Sequence, residues 1–172
     1  FETGTRLGAT QVLCAGNDPD INRLTDNYAE LCELAHPYGL NLSIGDALMQ
    51  RLAVKQHGEI LRKINRPNAG CLVDPIHFYK DIDNLPAGSL KYCQMCAITA
   101  EMPDTMDGIL YQARNFRLSS GTGAAYLVQL LKHLPISIEV CNANLALTMS
   151  PLDRARMYLE DMVAVLNAAG EH

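Results

Sequence analysis

Residues 66–78 read RPNAGCLVDPIHF. RPNAG is turn chemistry, with proline, asparagine and glycine each favouring a bend. CLV then forms an apolar run too short for a helix, as expected of a strand covered on both faces. The run ends on Asp74, and His77 follows three positions later. A buried strand that finishes on a carboxylate and an imidazole either stops there or delivers two side chains to a site.

Working outward, the same grammar repeats. TQVLCAG (10–16) and NLSIGD (41–46) read as earlier strands, LKYCQMCAI (90–98) as a later one and ISIEVC (136–141) as the last. Between them lie helical segments: 21–35 with apolar Leu24, Tyr28, Leu31, Leu34 and Ala35, 47–64 with a break near Gly58, 105–115, 125–134, and 151–169 opened by Ser150 and Pro151. HPYG (36–39) stops the first of these. Residues 81–90 read as a loop or short helix. Five short strands alternating with helices predict an α/β fold with a parallel sheet, either doubly wound or a partial barrel. In both architectures sites gather at the carboxyl ends of the strands.

Composition narrows the function. The 172-residue chain is long enough for one domain with a real core. A net charge of −5 disfavours a nucleic-acid partner, which needs a basic surface. No apolar stretch is long enough to span a membrane and no signal peptide opens the sequence, so the expected location is cytoplasmic. The six cysteines sit mostly in apolar runs and read as reduced core residues. Residues 1–8 resemble the last turns of a helix ending at Gly8, and an upstream segment is expected.

At the strand ends stand Gly45 and Asp46, then Asp74 and His77, then Gln94 on the fourth strand and Glu139 on the fifth. Two carboxylates with an amide oxygen suit Mn2+ or Mg2+, with Zn2+ or Co2+ as alternatives. Asp74, Gln94 and Glu139 are the candidate metal ligands. Such an ion polarises a sugar oxygen while a neighbouring carboxylate moves a proton. Glu139, set in an apolar strand, is the most telling, because a buried carboxylate must be paired or coordinated. Against this stands the plain reading in which each polar residue caps a strand or pairs in solvent. CQMC (93–96) has the spacing of a redox or zinc pair, but strand residues three apart face opposite sides. The GTG at 121–123 is a weak phosphate loop, and Arg117 just upstream is the better anion contact, unless it is a solvated loop arginine.

LGATQVLCAG, LCELAHPYGL, RPNAGCLVDPIHF, YCQMC, the RL-x-x-G-x-G loop at 117–123 and SIEV together resemble the sugar phosphate isomerase/epimerase family, the xylose isomerase-like TIM barrels. The resemblance covers nearly the whole chain and implies the C-terminal five strands of an eight-stranded barrel, in a single N-terminally incomplete domain over 1–172. It implies Asp74, Gln94 and Glu139 as metal ligands, His77 and Arg117 as substrate contacts, and Glu139 as one of two carboxylates that exchange a proton at carbon. Gly45 stands where the family carries a glutamate, leaving Asp46 as the neighbouring substitute, and Ala97 replaces a frequent acidic residue. Open strand edges invite pairing with a homo-oligomeric partner or an upstream segment.

Three functions compete on this basis. The first is a metal-dependent isomerase, epimerase or related lyase acting on a sugar, sugar phosphate or small polyhydroxylated acid. The second is a non-catalytic binding or assembly protein on the same scaffold. The third is a flavodoxin-like doubly wound domain that binds a nucleotide or acts as a receiver, with CAGNDPD (14–20) as a weak candidate for its phosphate loop or acidic cluster.

Overall fold

Why β2 (Asn41–Gly45) and β3 (Ala69–Val73) sit at the centre of this fold follows from their composition: nearly every residue in NLSIG and AGCLV is apolar or small. A strand with no polar face must be covered on both sides. In the computed structural model, which describes residues 1–45, 54–74, 85–96, 103–118 and 133–170, both strands are almost entirely buried. The other strands are β1 (Gln11–Ala15), β4 (Leu90–Met95) and β5 (Ile136–Ile138). The strand order is β1-β2-β3-β4-β5, and the registered pairs are parallel. A flavodoxin-like sheet shuffles its strands, whereas a barrel keeps them in sequence. The order therefore removes the flavodoxin-like alternative.

Six helices accompany the strands among the described residues: α1 (Glu2–Arg6), α2 (Ile21–Ala35), α3 (Val54–Ile64), α4 (Met106–Asn115), α5 (Ala143–Thr148) and α6 (Pro151–Gly170). Contacts group the chain into two compact units, Phe1–Val73 with His77–Tyr92, and Asp74–Ile76 with Cys93–His172.

The first unit is held by an apolar core. Leu40, Leu42 and Ile44 from the β2 region, Ala69 and Cys71 from β3, Ile60 and Leu61 from α3, and Leu24, Tyr28, Cys32 and Ala35 from α2 are buried together. Each large aliphatic side chain contributes about 1.5–3 kcal/mol by leaving water. Asp20 caps α2, its carboxylate accepting from the backbone N–H groups of Asn22 and Arg23. Asp18 pairs with Arg23 at 2.6 Å. Both aspartates of CAGNDPD are thus taken up by the start of a helix. The buried stripe of α2 runs Leu24, Tyr28, Cys32, Ala35, while Leu34 points out at 56% exposure. The helical spacing read from the sequence places Leu34 on this face and leaves out Cys32, because the two differ little in hydropathy; the structure buries Cys32 instead.

Two polar side chains stitch this unit. The Tyr28 hydroxyl lies between β2 and β3, within 2.7 Å of Leu42 O and 2.9 Å of Gly70 O, and accepts from Gly70 N–H at 3.2 Å. Burial pushes its pKa far up, so it remains a neutral donor. Asn68 Nδ2 donates to Cys32 O and Leu40 O, satisfying carbonyls near the end of α2. Gly39, at φ 67°, lets the chain turn after the short 3-10 helix His36–Tyr38.

Some boundaries differ from expectation. Helix α3 passes through Gly58 without a break, which its buried position explains, since no side chain is needed there. Residues 133 and 134 form a turn and a bend, so the helix expected over 125–134 does not reach them; its remainder lies outside the described residues, as do residues 81–84, while 85–89 form a loop with a turn that leads into β4. Strand β1 is only partly covered, with Leu13 48% exposed, and β5 is three residues long with Ser137 exposed. These two strands end the order, so each has one neighbouring strand among the described residues.

The second unit is built from the end of β4, then α4, β5, α5 and α6. Thr105 caps α4 by accepting from Gly108 N–H, and Asp107 and Arg114 sit at the helix ends that favour their charges. Asn142 caps α5 through Leu145 N–H, and Ser150 Oγ accepts from Asp153 N–H at the start of α6. Tyr158, Met162 and Ala169 form the buried stripe of α6.

Candidate functional site

Asp74 directly follows β3, Glu139 directly follows β5, Cys96 directly follows β4, and Arg117 follows the end of α4. All four belong to the second unit. There they converge. Arg117 Nη1 donates to Asp74 Oδ2 at 2.6 Å, with both side chains almost fully buried at 4% and 1% exposure. The same nitrogen lies 3.5 Å from Glu139 Oε2, 3.5 Å from Glu139 O and 3.7 Å from Cys96 Sγ. Cys96 Sγ in turn lies 3.8 Å from Asp74 Oδ1.

The arginine is fixed from behind. Its Nε donates to Ala113 O at 2.7 Å, in the last turn of α4. Its own backbone N–H donates to Cys141 O at 2.9 Å, and its carbonyl accepts from Asn142 Nδ2 at 3.1 Å. Phe116 and Asn142 form an antiparallel bridge beside it. A side chain tied at both the backbone and the guanidinium is a fixed charge. This corrects the reading of Arg117 as a solvated loop residue: it emerges from a helix end into a buried ion pair, because two carboxylates wait there.

Burial works against the arginine's charge, but Asp74 beside it, helped by Cys96 and Glu139, more than restores it and holds the guanidinium charged. Burial raises the pKa of Glu139 and outweighs the lowering by Arg117. Its side chain is still 36% exposed, so it is the one carboxylate of the cluster that opens to solvent. The expectation of a deeply buried Glu139 is therefore corrected, because β5 is covered less than an apolar ISI run implies. Cys96 is pushed up to about 12, first by burial and then by Asp74, and remains a thiol at neutral pH.

Of the residues singled out in the sequence, Asp74, Glu139 and Arg117 come together. Gln94 is half-buried on β4, opposite Ser137 in the register, and makes no hydrogen bond to the other three. Asp46 and His77 lie outside the described residues. Cys96 was missed as a member of the site; its place two residues beyond Gln94 on the same strand face was the available signal. The alternation argument against a Cys93–Cys96 pair agrees with the structure, where Cys93 Sγ lies by Pro135 O and Cys96 by Asp74. Both cysteines are free.

No protein-family model matches the sequence, and no curated protein does. Solved structures do. The IolI protein, crystallised with a bound zinc atom, superposes with a TM-score of 0.73 at 18% identity over 98% of this chain and 66% of its own. A xylose isomerase domain-containing protein from Salmonella typhimurium LT2 gives 0.73 at 12% identity, covering 96% of this chain and 66% of the other. A xylose isomerase-like TIM barrel/4-hydroxyphenylpyruvate dioxygenase fusion protein gives 0.69 at 22%, covering 83% of this chain and 25% of the other. The fold is accordingly that of the xylose isomerase-like TIM barrels, carried here as a partial barrel of five parallel strands. The chain spans between a quarter and two-thirds of the length of these structures. Among the described residues no helix is long and apolar enough to cross a membrane.

The zinc of the IolI protein raises the question of whether a divalent ion fits here. Among the described residues no three His, Cys, Asp or Glu side chains group to hold one. Gly45 offers no donor, and a Cβ there would come within 2.5 Å of Leu13 Cδ1 and 3.3 Å of Leu72 Cδ2. Asp74, the best ligand, already receives the Arg117 guanidinium. A unit positive charge 4 Å from another opposes it by about 4 kcal/mol at an effective dielectric of 20, and a dication doubles that. The donor set as it stands fits a metal poorly.

Proposed function

We propose that the chain is part of a sugar isomerase/epimerase-like enzyme that moves a proton at the carbon next to a carbonyl of a sugar, sugar phosphate or small polyhydroxylated acid. The observation that carries this reading is Glu139, a carboxylate with a raised pKa, 36% exposed and 3.5 Å from a buried guanidinium. A base of raised pKa holds a proton better, and a fixed cation stabilises the negative charge that proton removal creates on oxygen. The fold shared with xylose isomerase domain proteins supports the substrate class.

In this scheme Glu139 takes the proton from carbon, becoming a neutral carboxylic acid, and the C–H electron pair moves toward the carbonyl oxygen. The Arg117 guanidinium holds the resulting enediolate charge. Returning the proton to the adjacent carbon, while the hydroxyl proton passes from that carbon's oxygen to the former carbonyl oxygen, interconverts aldose and ketose. Epimerisation needs a second acid on the opposite face, for which Asp46 is the candidate. Asp74 keeps Arg117 charged and pointed at Glu139. In the sequence expectation Asp74, Gln94 and Glu139 hold Mn2+ or Mg2+; the ion pair between Asp74 and Arg117 speaks against that set.

The test is deuterium exchange. Aldoses, ketoses and their phosphates are incubated with the protein in D2O, and incorporation beside the carbonyl is followed by NMR. Incorporation that disappears in Glu139→Gln supports the enzyme. If no substrate exchanges, the alternative stands, a binding or assembly protein on this scaffold, which Gly45 and the engaged Asp74 favour.

A further inference from the structure

We propose that Arg117 is a tethered cation that takes the place of a divalent metal ion in this site. The inference borrows from the proposed function only the site, since it concerns what neutralises the acidic centre rather than what the centre catalyses. Four groups with negative or partly negative charge face a single nitrogen, Nη1: Asp74 Oδ2 at 2.6 Å, Glu139 Oε2 and O at 3.5 Å each, and Cys96 Sγ at 3.7 Å. Side chains from the ends of three strands converging on one positive centre is the arrangement a bound cation organises. Here the centre belongs to the chain itself.

Arg117 also lacks the freedom to swing aside for an incoming ion. Its Nε is bonded to Ala113 O, and its backbone is held on both sides by Cys141 O and Asn142 Nδ2. Admitting a metal to Asp74 would leave a guanidinium, 4% exposed, beside a dication. Expelling the guanidinium would cost those hydrogen bonds as well. The chemistry of the remaining donors agrees: among the described groups of this unit two carboxylates remain, Gln94 makes no hydrogen bond to either, and one cation joins the two. A sulfur atom is a poor third ligand for an oxygen-preferring ion such as Mn2+ or Mg2+.

The experiment titrates Mn2+, Mg2+ and Zn2+ separately into the wild-type protein and into Asp74→Asn, Arg117→Ala and Arg117→Lys, by calorimetry and by the shift in melting temperature. The wild type is expected to show no saturable site below about 1 mM, unchanged in Asp74→Asn. Arg117→Ala, with Asp74 released, is expected to bind Mn2+ at least about tenfold more tightly and to gain melting temperature with it. Arg117→Lys, which keeps a positive charge, is expected to behave as the wild type does. One equivalent of metal bound by the wild type at micromolar concentration, and lost in Asp74→Asn, overturns the proposal. If Arg117→Ala does not fold, the wild-type and Arg117→Lys titrations decide it alone. Because no substrate is present, a protein that binds no metal and also exchanges no deuterium rejects the proposed activity and leaves this inference standing.

Discussion

The two units solve the same problem, how to close the interior around a set of strands, with opposite materials. Around β2 and β3 the interior is mostly hydrocarbon, and two of its polar groups, the Tyr28 hydroxyl and the Asn68 amide, bind backbone carbonyls. At the ends of β3 and β4 and beside α4 the interior holds a guanidinium, a carboxylate and a thiol. An apolar core tolerates the loss of one member by partial collapse. A buried ion pair does not, since the survivor keeps its charge. Mutational cost should therefore follow pairing in the second unit and volume in the first.

The sharpest way to break that contrast is at Arg117. Arg117→Met should destabilise the protein by about 3–5 kcal/mol in urea titration, because the buried Asp74 carboxylate loses its guanidinium. The double variant Asp74→Leu/Arg117→Met should recover most of this, as replacing both charges by apolar groups is often near neutral. A single variant costing less than about 1 kcal/mol, the range of surface pairs, would remove the ground for treating the two units differently.

Next in size is Leu42→Ala in the apolar core, where removing a fully buried side chain should cost about 2–5 kcal/mol and no second substitution at a charged site should rescue it. Smaller is Gly70→Ala. A Cβ at this position would lie 2.5 Å from Ser89 O and 2.3 Å from Lys91 Cγ. The lysine can move but the carbonyl cannot, so overpacking should cost about 1–3 kcal/mol, measured by the midpoint of thermal unfolding.

The smallest effect concerns Glu139. Its folded pKa is raised, so the stability it permits is fully present below its unfolded value, near 4.5, and is lost as pH rises through the folded value. Glu139→Gln should flatten this part of the stability curve. The variant should therefore gain relative to the wild type above pH 4.5. If both curves run parallel from pH 4 to 8, the carboxylate is not desolvated enough to serve as the proposed base.

Much of the architecture could be read from the sequence. The bounds of α2 are those expected from its period, and the starts of α4 and α6 follow from Thr105 and Ser150. Local signals of this kind are written in neighbouring residues. Helix α5 escaped because ANLALT is too brief to establish a period. Asp74 and Glu139 could be found because strand ends are predictable. What sequence could not convey is that Arg117, 43 positions from Asp74, turns inward to meet it. That depends on the way α4 ends and on Cys141 and Asn142 receiving its backbone, none of which leaves a pattern in the chain around RL-x-x-G-x-G. Separation along the chain also hid Cys96, 22 positions from Asp74 and 21 from Arg117, which reads as one more apolar strand residue until its neighbours are known.

A cation attached to the backbone has no dissociation rate. Arg117 is made with the chain, one per molecule, and its local concentration is set by a side chain's length rather than by supply from outside. A site charged in this way is complete as soon as the polypeptide folds, is indifferent to chelators, and cannot be loaded with the wrong ion.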